Sequence, residues 1–207
     1  MLEFFKNKME CLLAFFGIIL AGFLVIFAAC ITPGYNPLKN TVSSLGNGSA
    51  KSFFSMGFVI GGSIIIPFYI FLEKKALLGI NEINRKIATG ISIITCVCIA
   101  LVGVRPDDTY PLFFKGIHIF AAIIAFGGSV IYISLFSYLM FKDINHNFQK
   151  YHAYLGFLIL AIFIIFFISG LQPIIEWTLT ILIMVWILLT AGHMSFSRKI
   201  SAFLKKL

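Results

Sequence analysis

Six long apolar runs separated by short polar segments set the pattern of this chain. They cover 11–31, 53–72, 87–104, 116–141, 152–170 and 177–193. Each approaches the ~20 residues a helix needs to cross a hydrocarbon core ~30 Å thick. In lipid such a run satisfies its backbone groups only as a helix or as part of a closed barrel. Unbroken runs of this length, without alternation, specify the helix. The pattern therefore predicts an all-α polytopic bundle of six transmembrane helices. Residues 1–207 read as a single transmembrane domain, because no polar segment is long enough for another. Gly57, Gly61 and Gly62 give the second run a small-residue face, and Gly127 and Gly128 interrupt the fourth. Both arrangements favour close helix approach. Pro67 should kink the second run. Gly90, Ser92 and Thr95 are expected to serve contacts between helices in the third.

The distribution of charge gives the bundle a direction. Of the 16 Lys and Arg residues, 12 fall in the N-terminal segment, the 73–86 and 142–151 segments and the C-terminal tail. The other four are Lys39, Lys51, Arg105 and Lys115. Positive charge favours the cytoplasmic side, which places both termini in the cytoplasm. The tail, 195–207, puts Ile200, Phe203, Leu204 and Leu207 on one face among Arg198, Lys199, Lys205 and Lys206. It reads as a short basic amphipathic helix on the membrane surface, with a partner-binding helix as the alternative.

Composition narrows the class further. Hydrophobic residues make up 60% of the chain and charged residues 12%, against roughly half and a quarter in soluble domains. The net charge of +8 sits at helix ends, where it sets topology and meets anionic headgroups, so nucleic acid is not an expected partner. Membrane lipids are, and a multi-pass place in the cell membrane is the expected location. Cys11, Cys30, Cys96 and Cys98 lie in or beside apolar runs without CxxC spacing, which excludes a disulfide framework or a zinc ribbon. Lys6 and Lys8 ahead of an apolar run, with Ala28-Ala29-Cys30 at its end, resemble a lipoprotein signal. The run is longer than the ~7–15 residues of a signal core, which favours retention as a first transmembrane helix.

Candidate chemistry collects on the outward side. The loop after the first run holds Asn40, Ser43 and Ser44. The loop after the third holds Arg105, Asp107 and Asp108, with His118 just inside the fourth run, and Glu176 stands at the start of the sixth. A histidine in an apolar helix needs a polar partner. Asp107 or Asp108 could fix its tautomer, and Ser43 or Ser44 could supply a hydroxyl. Together they would form a nucleophile, a base and an orienting carboxylate. Asn40, Arg105, Asp108 and Glu176 are candidates for holding a ligand. The structural alternative is that Asp108 or Thr109 caps the fourth helix with Pro111 in its first turn, and that Ser43 caps a short loop helix. No metal site is expected, because His118 lies on the outward side while His146, His152 and His193 lie inward. No nucleotide or phosphate motif occurs and no cofactor is implied.

Tyr35-Asn36-Pro37, Asn40-Thr-Val-Ser-Ser-Leu-Gly46, Gly103-Val-Arg-Pro-Asp107 and His118-Ile-Phe-Ala-Ala122 with Phe126 also carry a resemblance. The chain resembles the domain-of-unknown-function 998 family of bacterial and archaeal membrane proteins, across nearly its whole length in span number and loop order. The resemblance implies a six-helix fold. It also draws attention to Ser43, Gly46, Pro106, Asp107 and His118. It implies no activity. Where the family commonly has an acidic residue after the serine, this chain has Ser44. A more distant likeness, to eukaryotic membrane proteins of GPI-anchor remodelling and autophagy control, points toward lipids.

Three functions fit these features. The first is a multi-pass protein that binds a lipid or a protein partner at its outward end. The second is an intramembrane lipid hydrolase or transferase built on Ser43 or Ser44, His118 and Asp107, or on Asp107 and His118 activating water. The third is a small-molecule transporter, disfavoured by the lack of inverted repeats.

Overall fold

A computed structural model describes residues 8–104, 112–143 and 147–197, with side chains described from 116 onward in the second of these segments. The described residues form helices α1 (Met9–Ile31), α2 (Lys51–Ile64), α3 (Ile66–Phe71), α4 (Glu82–Val104), α5 (Leu112–Phe141), α6 (Lys150–Ile168) and α7 (Pro173–Phe196). A 3-10 turn, Ser43–Asn47, lies in the first loop, and a π turn, Leu72–Ala76, extends α3. The segments from Lys51 to Ala76 make one span, which gives six helices long and apolar enough to cross a membrane. At 1.5 Å per residue α1 is ~35 Å long, enough to cross the hydrocarbon core.

The spans pack as a ring. Each contacts its neighbour in sequence, and α7 returns to pack on α1. The surface of this ring is apolar. Phe16, Phe23, Ile164 and Ile168 are exposed, Ile168 by 82%. That is unfavourable in water and natural against lipid tails.

Helix association in lipid depends on close packing and hydrogen bonds rather than on apolar burial, and both are present. A Cβ at Gly57 would lie 2.9 Å from the Ala21 carbonyl oxygen of α1. A Cβ at Gly62 would lie 2.7 Å from the Ala100 nitrogen of α4. Gly57 and Gly62 therefore seat α2 between two neighbours. Gly128 on α5 lies against Thr95 of α4. Gly90 departs from expectation: it is exposed, and a Cβ there would meet nothing within 4 Å. Ser92 is fully buried and donates to the Thr89 carbonyl of its own helix at 2.8 Å. In the middle of the ring, Tyr69 and Tyr132 share a 2.7 Å hydroxyl–hydroxyl bond, and both are fully buried.

Pro67 acts as expected. It lacks an N–H, and its ring would clash with the carbonyl four residues back. The helix stops at Ile64 and restarts at Ile66, with Pro67 in the new first turn.

At the end of the bundle carrying Met9, charged residues pin the chain. Lys75 pairs with Glu10 at 3.3 Å, and Arg85 donates to the Glu73 carbonyl. Lys8 reaches the carbonyls of Ser195 and Ser197 at 3.0 Å each. His152 and His193 have ring centroids 4.9 Å apart. Each contacts a backbone carbonyl, that of Gln149 at 3.0 Å and that of Asn147 at 2.9 Å. His146 lies outside the described residues, as do residues beyond 197, so the tail's expected amphipathic helix does too. Ser195 and Phe196 belong to α7 rather than to that tail.

Candidate functional site

The first loop is built by local chemistry. Pro33 and Gly34 occupy the centre of a turn closed by Tyr35 N–H to the Thr32 carbonyl at 3.2 Å. Gly34 has φ +73°, which glycine alone adopts without strain and which fits a type II turn. Asn36 then accepts the Leu38 N–H on its side-chain oxygen at 2.9 Å across Pro37. The Asn40 side chain accepts the Asn36 N–H at 2.9 Å. Asn40 thus ties the loop together. Ser44 does likewise, donating to the Thr41 carbonyl at 2.7 Å.

Two bridges join this loop to α7. The Tyr35 hydroxyl donates to the Thr41 carbonyl at 2.8 Å and accepts from Trp177 Nε1 at 2.9 Å. Burial pushes the Tyr35 phenol up from its ordinary value, against the opposing effect of the Trp177 donor. The second bridge is Glu176. It is buried, and its Oε1 accepts the Val42 N–H at 3.1 Å. The Ser43 backbone N–H is directed at the same carboxylate. A carboxyl oxygen that accepts backbone N–H groups ties the loop to α7.

These bridges frame an open cavity of about 750 Å³ at the first-loop end of the bundle. Thr41, Ser43, His118 and Glu176 contribute its polar lining. The remaining walls are apolar and include Phe126, Phe163, Phe166 and Phe167. His118 is buried, 4% exposed. Ser43 is half-buried, with its hydroxyl 3.3 Å from that of Thr41. The turn from α6 to α7 closes one side. Its Gly170 and Leu171 both have positive φ, +76° and +60°, and Leu171 lines the cavity. A branched residue in the left-handed region is strained. Such strain tends to gather at functional sites.

Of the residues singled out in the sequence, Ser43, His118 and Glu176 meet at this cavity. Asn40 and Ser44 serve the loop instead. Arg105, Pro106, Asp107 and Asp108 lie outside the described residues. Gly46 is buried within the 3-10 turn. Tyr35 entered the sequence reading only within the Tyr35-Asn36-Pro37 motif, and Trp177, its partner on α7, carried no functional signal there. Among the described residues no group of three His, Cys, Asp or Glu side chains could hold a metal.

The model of a family described as proteins of unknown function, DUF998, matches residues 15–193. The chain belongs to that family. The match takes in four membrane-crossing segments whole and most of the first and last, and it includes both the first loop and His118, so the cavity lies within the matched region. No curated protein and no solved structure matches the chain.

Proposed function

We propose that this DUF998 protein binds a lipid-like amphiphile in the cavity at its first-loop end, which the charge distribution places outward. The cavity's composition carries the reading: a few converging polar groups set in walls of Phe and Ile. Ligand sites of this size are mostly apolar, with a small number of polar groups that fix orientation. Thr41, Ser43 and His118 offer hydrogen-bonding atoms and Glu176 a carboxylate, and no Lys or Arg stands among the described lining residues. The lining therefore suits a headgroup that donates hydrogen bonds, such as a hydroxyl or an amine.

The test is native mass spectrometry of the protein released from nanodiscs of mixed lipids. Bound amphiphile is expected on the wild type, with lower occupancy on His118→Ala and Glu176→Gln. Equal occupancy on all three, or none on the wild type, would contradict the reading.

One observation favours a second reading, a lipid hydrolase or transferase. Ser43 and His118 line the same cavity. A serine hydroxyl attacking an ester carbonyl needs a neighbouring base to take its proton. The Ser44 hydroxyl is already engaged with the loop backbone, which leaves Ser43 as the nucleophile of that reading. It requires a lipid product that forms with the wild type and is lost with both Ser43→Ala and His118→Ala. Identical lipid profiles from wild type and variants remove it.

A further inference from the structure

We infer that the cavity continues inward as a subsite for one acyl chain, so that the ligand is a single-chain amphiphile. This inference rests on the amphiphile-binding reading and extends it to the ligand's shape. A second cavity of about 100 Å³ lies deeper in the ring. Phe58 and Phe126 line both cavities, so the two chambers adjoin at these rings, and an acyl chain reaching the inner one must pass them. On α7 the outer chamber is lined by Glu176 and the inner one from Thr180 to Ile187. At 1.5 Å per residue, Glu176 and Ile187 stand ~16 Å apart along the helix. That is the reach of a medium-length acyl chain whose head lies beside Glu176.

The inner chamber exists because small residues face one another. Ala21, Gly57, Gly61 and Ala125 all line it. A Cβ at Gly61 would meet the Ala21 Cβ at 3.4 Å, an ordinary contact, so packing against α1 does not require glycine there. Protein interiors are otherwise close-packed, and an unfilled space forfeits the contacts its lining would make. A cavity of about 150 Å³ holds one benzene molecule. The 100 Å³ here therefore suits the terminal methyl and a few methylenes of one chain. It is too small for a second chain or a fused ring. Tails in the surrounding bilayer are as apolar as the chamber walls, so burial alone does not select a ligand. Selection is by length: a tail that stops short leaves the chamber empty, and one that overshoots must buckle or withdraw.

The test uses full-length protein in nanodiscs and a series of monoacylglycerols from ten to eighteen carbons, with occupancy read by native mass spectrometry. Their hydroxyl-bearing head meets the requirement set by the polar lining. Occupancy is expected to peak at one chain length. It should fall about tenfold for chains a few carbons longer, as overpacking costs predict. Ala125→Leu, which fills the chamber, should move the peak to shorter chains. Ile183→Ala, which enlarges it, should move the peak to longer ones. Each variant is compared with itself across the series, so a lower folded yield cannot imitate a shift, and the two variants act in opposite directions. Binding that ignores chain length, or a peak unmoved in both variants, overturns the acyl subsite and leaves the outer site standing. If the wild type binds no member of the series, the acyl subsite is overturned, and the mixed-lipid measurement on wild type, His118→Ala and Glu176→Gln decides the outer site separately.

Discussion

At the scale of single residues, Tyr35 supports the site without lining the cavity. Its hydroxyl fastens the first loop to itself and to α7 through Trp177. Tyr35→Phe leaves the indole N–H and the Thr41 carbonyl without this partner. It should lower stability by ~1–3 kcal/mol, seen as an earlier thermal transition in detergent and faster amide exchange over residues 36–44. The same hydroxyl makes the loop sensitive to alkali. Burial raises its pKa above the ordinary value near 10, so the folded state favours the protonated phenol. That contribution is complete below the unfolded value and declines as pH rises through the higher folded value. Tyrosinate absorption and Trp177 fluorescence should change together above pH ~10, and Tyr35→Phe should abolish the joint change. His118 was legible in the sequence because an ionisable residue in an apolar helix stands out. The Tyr35–Trp177 bond was not, since it joins residues 142 apart and hydrophobic periodicity says nothing about which distant residues meet.

At the scale of elements, the apolar runs located every span but set several ends short. The second run stops at 72, whereas its span continues to Ala76. The third begins at 87, whereas α4 begins at Glu82. In both places charged residues look like loop and are helical. Lys75 turns toward Glu10 and lies over the Phe71 ring at 5.3 Å. Lys86 pairs with Glu82 one turn back at 2.6 Å. Long basic side chains can keep their stems against apolar surface while the charge reaches water. The break at Ile65 was legible, because proline ends a helix for a local reason. The paired positive φ angles at Gly170 and Leu171 were half-legible: glycine announces the turn and leucine conceals it. Leu171→Gly removes a left-handed leucine and should raise stability by ~1 kcal/mol. If that strain serves the cavity, ligand occupancy will fall even as the melting temperature rises. Gly62→Ala should act the other way. Its new methyl would press on the backbone of α4 and cost ~1–3 kcal/mol, measured as a lower melting temperature with the bundle otherwise intact.

At the scale of the whole molecule, ring closure is what makes a site. The first loop and the start of α7 stand at opposite ends of the sequence, and the packing of α7 on α1 brings them together. The run lengths gave the number of spans, but nothing in them says that the last helix returns to the first. That is why the sequence could pair Ser43 with His118 as nucleophile and base but could not show that Glu176 lines the same cavity. The distribution of Lys and Arg favours a first-loop end that faces outward. Single cysteines at Lys39 and Lys51, introduced on a background with the four native cysteines removed, should react with an impermeant maleimide added outside intact cells. Cysteines at Lys75 and Lys150 should react only after permeabilisation. The reverse pattern would invert the protein and point the cavity at the cytoplasm.

Photolabelling tests the central claim most directly, because it reports where an amphiphile rests. A monoacylglycerol carrying a diazirine partway along its chain would be equilibrated with the protein in nanodiscs, irradiated, and its adducts mapped by peptide sequencing. Binding in the cavity predicts adducts concentrated in 118–127 and 163–171, suppressed by excess unlabelled ligand. Adducts spread over lipid-facing Phe16, Phe23, Ile164 and Ile168, unaffected by competitor, would mean that the molecule meets this protein only as bulk membrane.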